Sequence, residues 1–204
     1  MGNRGTSRRG SGASLFEAAA TKDVSQGSRP LADRLRPQDL GEVVGQRHLL
    51  GPGKPLERAI STDKVPSMVL WGPPGSGKTT VARVIAARTR AYFVPYSAVL
   101  GTVPELRMLL QEAKEARLYH ARRTLLFIDE IHRFNKGQQD VLMPDVEEAN
   151  LILIGATVHN PFFSIIAPPL PRSIVFELKA LTSDEILAIL NNSLQDKKRG
   201  LRPP

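Results

Sequence analysis

A glycine-rich run from Gly72 to Thr79 most constrains what this chain can fold into. It reads GPPGSGKT and fits the phosphate-binding pattern G-x-x-x-x-G-K-[ST], known as the P-loop. The apolar residues 68–71 precede it, and a helical pattern over residues 79–91 follows it. Glycines let backbone N–H groups face phosphate oxygens, and the start of a helix adds positive potential. The sequence therefore predicts a strand, a P-loop and a helix.

The residue types within this loop indicate individual roles. Lys78 is expected to reach the β- and γ-phosphates of ATP, and the Thr79 hydroxyl is expected to ligate Mg²⁺. A Gly/Pro-rich turn that matches by chance is the alternative, and the flanking strand and helix disfavour it. The loop residues predicted to bind nucleotide are Gly72, Pro73, Pro74, Gly75, Ser76, Gly77, Lys78, Thr79 and Thr80.

Strand and helix patterns alternate through the rest of the chain. Further strands are predicted at residues 92–96, 124–128, 151–156 and 174–178, with helices at residues 104–119 and 136–143. This alternation is typical of a three-layer α/β domain, a P-loop NTPase with a parallel central sheet. A capping box at Thr182 and Glu185 opens a last helix, interpreted as the start of a helical lid.

Composition divides the chain into three predicted parts. Residues 1–29 are rich in Gly, Ser and Arg and predict a disordered basic tail, residues 30–180 the ATPase core, and residues 181–204 a truncated lid. The absence of cysteine excludes disulfides, and no apolar run approaches the roughly 18 residues of a membrane span. The net charge of +8 favours polyanionic partners.

An acidic pair closes the predicted strand at residues 124–128. Asp129 would hold Mg²⁺, and Glu130 would polarise the water that attacks the γ-phosphate. Carboxylates at the end of a buried strand are costly unless a cation or a hydrogen bond compensates them. Acids of an ordinary surface turn are the alternative, and the order of the motifs after Lys78 favours the catalytic interpretation.

Two further polar residues are candidates for contact with the γ-phosphate. Asn160 follows the strand at residues 151–156 and would position the attacking water, although Asn-Pro is also a turn dipeptide. Arg172 precedes the next strand and could act as an arginine finger supplied to a neighbouring subunit. A solvated surface charge is the alternative for Arg172.

Together these motifs resemble AAA+ ATPases of the clamp-loader branch. The run DEIHRFNKGQQD at residues 129–140, together with IGAT at 154–157 and Asn160-Pro161, is similar to the replication-associated recombination protein A family and its relative, the Werner helicase-interacting protein. The resemblance implies an ATP- and Mg²⁺-dependent, DNA-associated ATPase in replication-fork maintenance, repair and recombination. It also implies a cytoplasmic, nucleoid-associated location.

The resemblance implies further contacts. Arg36, Pro37 and residues 43–46, including Val43 and Val44, would line the adenine pocket, and Arg133 and Lys136 would contact DNA phosphates. Members of the family form homo-oligomers. Implied partners are fork or duplex-end DNA, and a single-strand-binding protein or a sliding clamp.

The chain departs from the family pattern at several positions. The asparagine of the family is kept at Asn160 while its neighbours differ, and Ile174 stands where the family has a second arginine. At 204 residues the chain is also far shorter than the family, and it ends within the expected lid. A nucleotide-binding fragment that barely hydrolyses ATP is therefore the alternative function. A DExH helicase, suggested by Asp129 to His132, is disfavoured because the chain lacks the arginine-rich final helicase motif and a second motor domain.

Overall fold

The computed structural model describes residues 30–161 and 173–201. Within them, the strands form one sheet in the order β2-β3-β4-β1-β5, and every neighbouring pair is parallel. The predicted α/β class with a parallel sheet is confirmed. The strands are β1 (Met68–Trp71), β2 (Tyr92–Ser97), β3 (Thr124–Asp129), β4 (Ile152–Thr157) and β5 (Ile174–Glu177).

Helices cover both faces of the sheet. A strand points alternate side chains to opposite faces, so Met68 and Leu70 of β1 pack in one apolar cluster and Val69 packs in the other. The first cluster includes Leu56, from the helix that precedes β1, and the second includes Leu106, from the helix between β2 and β3. The helices are α1 (Leu31–Arg34), α2 (Arg47–Leu50), α3 (Pro55–Ser61), α4 (Lys78–Arg88), α5 (Val103–His120), α6 (Lys136–Glu147) and α7 (Ser183–Gln195), with 3-10 turns at Leu40–Glu42 and Ile131–Arg133.

Reciprocal capping fixes where the longer helices begin. At α7 the Thr182 side chain accepts from the Glu185 N–H and the Glu185 carboxylate accepts from the Thr182 N–H, so the predicted capping box is confirmed. The same arrangement opens α5 and α6. In the described part of the chain, no helix is both long and apolar enough to cross a membrane.

Two predicted helix ends were wrong. The helix after the P-loop ends at Arg88 rather than at residue 91, because the Thr89 hydroxyl bonds back to the Ile85 carbonyl and Arg90 is left-handed, with φ of 53°. Helix α6 continues to Glu147 rather than stopping at residue 143. Pro144 lies inside it, and its carbonyl still accepts from the Glu148 N–H at 3.0 Å.

Substitution of Gly155, in the central strand β4, would test how tightly the sheet packs against the turn that follows β3. A Cβ at Gly155 would lie 2.4 Å from Ile131 Cδ1 and 3.2 Å from Ile131 Cβ, in the 3-10 turn that follows β3. We expect Gly155→Ala to lower the free energy of unfolding by about 1–3 kcal/mol in urea titrations, because overpacking forces the turn to shift. Gly137→Ala is the control, since its Cβ would meet only ordinary contacts. Equal stability of both variants would contradict this packing.

Candidate nucleotide-binding site

The P-loop leaves β1 at the carboxyl edge of the sheet and needs glycine at its bends. Gly72, Gly75 and Gly77 have φ of 152°, 75° and 93°, values that favour glycine. A Cβ at Gly72 would lie 2.2 Å from the Leu178 carbonyl oxygen. The Gly72 N–H donates to the carbonyl of Thr157, at the end of β4, over 3.2 Å. Neighbouring strands therefore fix the start of the loop on both sides.

The Lys78 ammonium lies inside the loop. Its Nζ donates to the carbonyls of Gly72 at 2.8 Å and Pro73 at 2.9 Å. Burial lowers the pKa of Lys78, and the carboxylates of Asp129 and Glu130 act in the opposite direction. The structure thus brings the predicted lysine and the predicted acidic pair within electrostatic reach of one another.

The loop and the start of α4 fit an anionic ligand. The first N–H groups of a helix have no intrahelical acceptor, and here they follow Gly77 directly. A Cβ at Gly75 or Gly77 would meet open space, and the buried Ser76 hydroxyl has no hydrogen-bond partner among the described residues. These donors and this space suit the phosphate groups of a nucleotide.

The acidic pair lies where β3 ends. Asp129 is the last residue of β3 and its side chain is exposed; its Oδ1 accepts from the Glu130 N–H at 3.1 Å. Glu130 is left-handed, with φ of 53°, and its Oε2 lies 3.3 Å from His132 Nδ1. Residues 30–161 and 173–201 bring together no three His, Asp or Glu side chains as a metal site. Mg²⁺ is a cation that proteins hold through one or two carboxylates, while substrate phosphates and water supply the remaining ligands.

A cavity of about 940 Å³ opens beside the loop. Arg36, Pro37, Val43 and Val44, the residues assigned to adenine from resemblance, all line it. The loop contributes Gly75, Ser76, Gly77 and Thr80 to the same cavity, and α7 contributes Ile189 and Leu190. The structure therefore brings the predicted adenine residues next to the predicted phosphate residues.

Gln46, which the resemblance assigned to the adenine pocket, is not among the residues that line this cavity. It is 6% exposed, and its Nε2 donates to the carbonyls of Ser76 at 3.1 Å and Lys179 at 2.7 Å. Its Oε1 accepts from the Lys179 N–H at 3.0 Å. Gly45 beside it approaches Leu181. Gln46 thus joins the P-loop to the chain after β5, a role that no local sequence pattern indicated.

Arg199 is a second residue that sequence reasoning missed. Its guanidinium pairs with Glu42 at 3.0 Å and with Asp196 at 2.8 Å, and all three side chains line the cavity. These hydrogen bonds raise the pKa of Arg199, and the bond from Arg199 lowers the pKa of Glu42. The segment after α7 is therefore tied by charge to the segment that contains Val43 and Val44.

The remaining predicted residues fall in different places. Asn160 lies three residues beyond the end of β4. Arg133 and Lys136 are exposed and follow β3 on the same carboxyl edge. Arg172 and residues 1–29 lie outside the described residues.

Comparison with known proteins identifies the class of protein that this fold and loop define. The family described as "ATPase family associated with various cellular activities (AAA)" matches residues 68–182, more than half of the chain. The chain therefore belongs to the AAA family of ATPases. Membership implies ATP binding and ATPase chemistry at the level of the family.

Individual relatives indicate which group of AAA ATPases this chain resembles. The chain is 46% identical over 172 residues to Replication-associated recombination protein A of Escherichia coli (strain K12), covering 84% of this chain and 38% of the relative. It is 49% identical to Replication-associated recombination protein A of Coxiella burnetii, again covering 84% of this chain and 38% of the relative. ATPase WRNIP1 of Dictyostelium discoideum is 37% identical, covering 81% of this chain and 19% of that protein. The resemblance inferred from the motifs is thus confirmed, and the chain spans 38% of the length of these bacterial relatives.

Solved structures agree on the fold. The Thermotoga maritima RuvB Holliday junction branch migration motor matches with a TM-score of 0.61 and 31% identity, covering 80% of this chain and 55% of that chain. A T158V variant of the same RuvB gives a TM-score of 0.60 and 32% identity. The sheet and P-loop described above are therefore of the RuvB-like AAA+ kind.

Substitution of Gln46 tests its role in joining the P-loop to the chain after β5. Gln46→Met keeps the length of the side chain but leaves the Lys179 N–H and the Ser76 carbonyl without their partner. We expect a loss of about 1–3 kcal/mol in the free energy of unfolding, because buried polar groups would be unsatisfied. Gln38→Met, at an exposed position, is the control and should change little. Urea unfolding compares the two, and equal effects would exclude this joining role.

Proposed function

We propose that this chain binds ATP with Mg²⁺ and hydrolyses it, as an AAA+ module that acts on DNA during replication, repair and recombination. The observation that carries the proposal is that Lys78, inside the P-loop after β1, lies on the same carboxyl edge of the parallel sheet as Asp129 and Glu130 at the end of β3, within electrostatic reach of both. A phosphate-binding cation and two carboxylates at one sheet edge are what metal-assisted phosphoryl transfer requires.

Each predicted side chain has a proposed part in nucleotide binding. The cavity side chains Arg36, Pro37, Val43 and Val44 would contact the adenine base. The hydroxyl of Thr79 and the carboxylate of Asp129 would hold Mg²⁺. The phosphates would lie along the loop, against Gly72, Pro73, Pro74, Gly75, Ser76, Gly77, Lys78, Thr79 and Thr80.

The proposed chemistry needs little covalent participation by the protein. Mg²⁺, when bound, neutralises charge on the phosphoryl oxygens. Glu130 orients the attacking water and accepts its proton, while Lys78 offsets negative charge on the transferred group. Asn160 would position the same water through its amide. Arg172 would act across a subunit boundary of a homo-oligomer.

Exposed cations at the same edge support a DNA partner. Arg133 and Lys136 are exposed, and the chain carries a net charge of +8. Relatives named for replication and recombination add to this, as does the RuvB motor of Holliday junctions. Fork-like DNA and duplex ends are the proposed substrates, with a single-strand-binding protein or a sliding clamp as possible protein partners.

The exposed apolar face of α7 favours a second candidate function, nucleotide binding with little turnover by the chain alone. Ile186, Leu187 and Leu194 are 47%, 56% and 64% exposed. A helix with such a face gains stability when other protein covers it. Turnover would then need that additional contact.

Nucleotide binding and turnover by two variants test the proposed ATPase. Lys78→Ala should abolish ATP binding, because the phosphates lose their cation within the loop. Glu130→Gln should keep ATP affinity and suppress turnover, since an amide cannot accept the proton. Fluorescent-nucleotide titration and phosphate release measure the two quantities. Unchanged hydrolysis in Glu130→Gln would refute the catalytic assignment, and tight binding without turnover by the unaltered chain would favour the second candidate.

DNA contacts by Arg133 and Lys136 predict a change in salt dependence. If each neutralises one phosphate, Arg133→Ala or Lys136→Ala should reduce the slope of log Kobs against log[salt] by about 0.9 on duplex DNA. Fluorescence anisotropy over a salt series measures that slope. Lys64→Ala is the matched control, because Lys64 is exposed and precedes β1, which places it at the opposite edge of the sheet. Equal slopes for all variants would remove both residues from the DNA interface.

A further inference from the structure

One histidine sits between the proposed catalytic glutamate and the central strand. His132 Nδ1 lies 3.0 Å from the Thr157 hydroxyl oxygen and 3.3 Å from Glu130 Oε2. His132 is largely buried, with 19% of its side chain exposed, and Thr157 is 2% exposed. The His159 ring packs edge-on against it, with ring centroids 4.5 Å apart. Contacts with Thr157, Glu130 and His159 therefore restrict the orientation of the His132 ring.

The contact with the Glu130 carboxylate favours a proton on Nδ1 of His132. A bare Nδ1 would turn its lone pair toward the carboxylate of Glu130, which is repulsive. An Nδ1–H instead donates to the Thr157 oxygen and places a positive dipole beside Glu130. A hydroxyl oxygen has two lone pairs, so the Thr157 oxygen can accept from His132 and also from the backbone N–H of His159, whose nitrogen lies 3.1 Å away.

The surroundings of the ring favour the neutral form of His132. Burial lowers the pKa of His132, His159 and Arg133 act in the same direction, and Glu130 opposes them. A neutral imidazole with a proton on Nδ1 satisfies Thr157 and Glu130 without introducing a full charge into a largely buried position.

Thr157 extends this arrangement to the P-loop. It is the last residue of β4, it pairs in register with Trp71 of β1, and its carbonyl accepts from the Gly72 N–H. The Thr157 side chain faces His132 while its backbone fixes the first residue of the loop. One buried residue thus relates the position of Glu130 to the position of the phosphate-binding loop.

We propose that His132 is a positioning residue, whose Nδ1–H, donated to Thr157 beside Glu130, holds the Glu130 carboxylate in place relative to the P-loop. This inference rests on the proposed ATPase function. His132 acts through Glu130 and makes no proposed contact with the nucleotide. Its loss should therefore lower the turnover rate and leave nucleotide affinity unchanged.

Two amide substitutions separate positioning from bulk structure. The Asn side chain places its N–H at the same number of bonds from Cα as His Nδ1, whereas the Gln side chain places its N–H one bond further out. We expect His132→Asn to retain turnover within a few-fold. We expect His132→Gln and His132→Ala to lower kcat on the order of 10- to 100-fold, because small misplacement of a reacting group is costly. The dissociation constant for ATP should stay within about twofold in all three, which is small beside the tenfold that corresponds to 1.4 kcal/mol.

His120→Gln is the matched control, since His120 is exposed at the end of α5, next to the start of β3 at the opposite edge of the sheet. Its kcat should equal that of the unaltered chain. Thermal melting of every variant identifies any that fail to fold. If folded His132→Gln turned over as fast as His132→Asn, or if the loss lay wholly in ATP affinity, the positioning role would be refuted.

A measurement without nucleotide tests the same inference independently of catalysis. Imidazole ¹⁵N NMR of the ligand-free chain reports which ring nitrogen of His132 is protonated. We expect Nδ1–H in the unaltered chain and a shift toward Nε2–H in Glu130→Ala, where Thr157 is free to donate to Nδ1. Nε2–H in the unaltered chain would overturn the proposal. Absence of turnover in the unaltered chain would instead refute the proposed function, and the NMR result would still decide the role of His132.

Discussion

Two backbone hydrogen bonds beyond the end of β1 carry the geometry of the whole site. The Gly72 N–H donates to the carbonyl of Thr157, the last residue of β4, and the N–H of Leu178, which follows β5, donates to the Trp71 carbonyl. Because β1 lies between β4 and β5, its ladder continues one step on both sides before the loop begins. The loop therefore starts from a fixed point. Because α4 begins directly after the loop, the position and direction of α4 also depend on these two hydrogen bonds.

The walls of the nucleotide cavity depend on polar side chains that bond across large distances in sequence. Gln46 is 133 residues from Lys179, and Arg199 is 157 residues from Glu42. The short elements before β1 have few buried side chains of their own, with none in α1 or α2. Their position is set by these tethers as much as by apolar packing. Gln46 is the stronger tether, because it is buried and bonded to backbone groups that would otherwise be unsatisfied.

Local patterns were enough to predict the P-loop, the acidic pair and the parallel sheet, because the signal for each lies in consecutive residues. The glycines around Lys78 and the apolar strand before Asp129 are examples. Gln46 and Arg199 could not be found in this way, because their partners are distant and neither sits in a recurrent motif. The end of α4 depends on the Thr89 hydroxyl and the left-handed Arg90, and α6 passes through Pro144, where propensity alone predicts an end.

The hydrogen bonds of Lys78 show how a site can be stable without a ligand and still be able to bind phosphate. Its ammonium is satisfied by the carbonyls of Gly72 and Pro73, so the protein does not hold an uncompensated buried charge. Those acceptors are neutral, whereas a phosphate oxygen is charged, and hydrogen bonds between charged partners are shorter and stronger. In the proposed nucleotide complex, a phosphate oxygen would therefore be a stronger hydrogen-bond partner for Lys78 than either carbonyl. The same reasoning explains why Glu130 benefits from a neutral neighbour such as His132: a full positive charge there would compete with the proton acceptance proposed for this carboxylate.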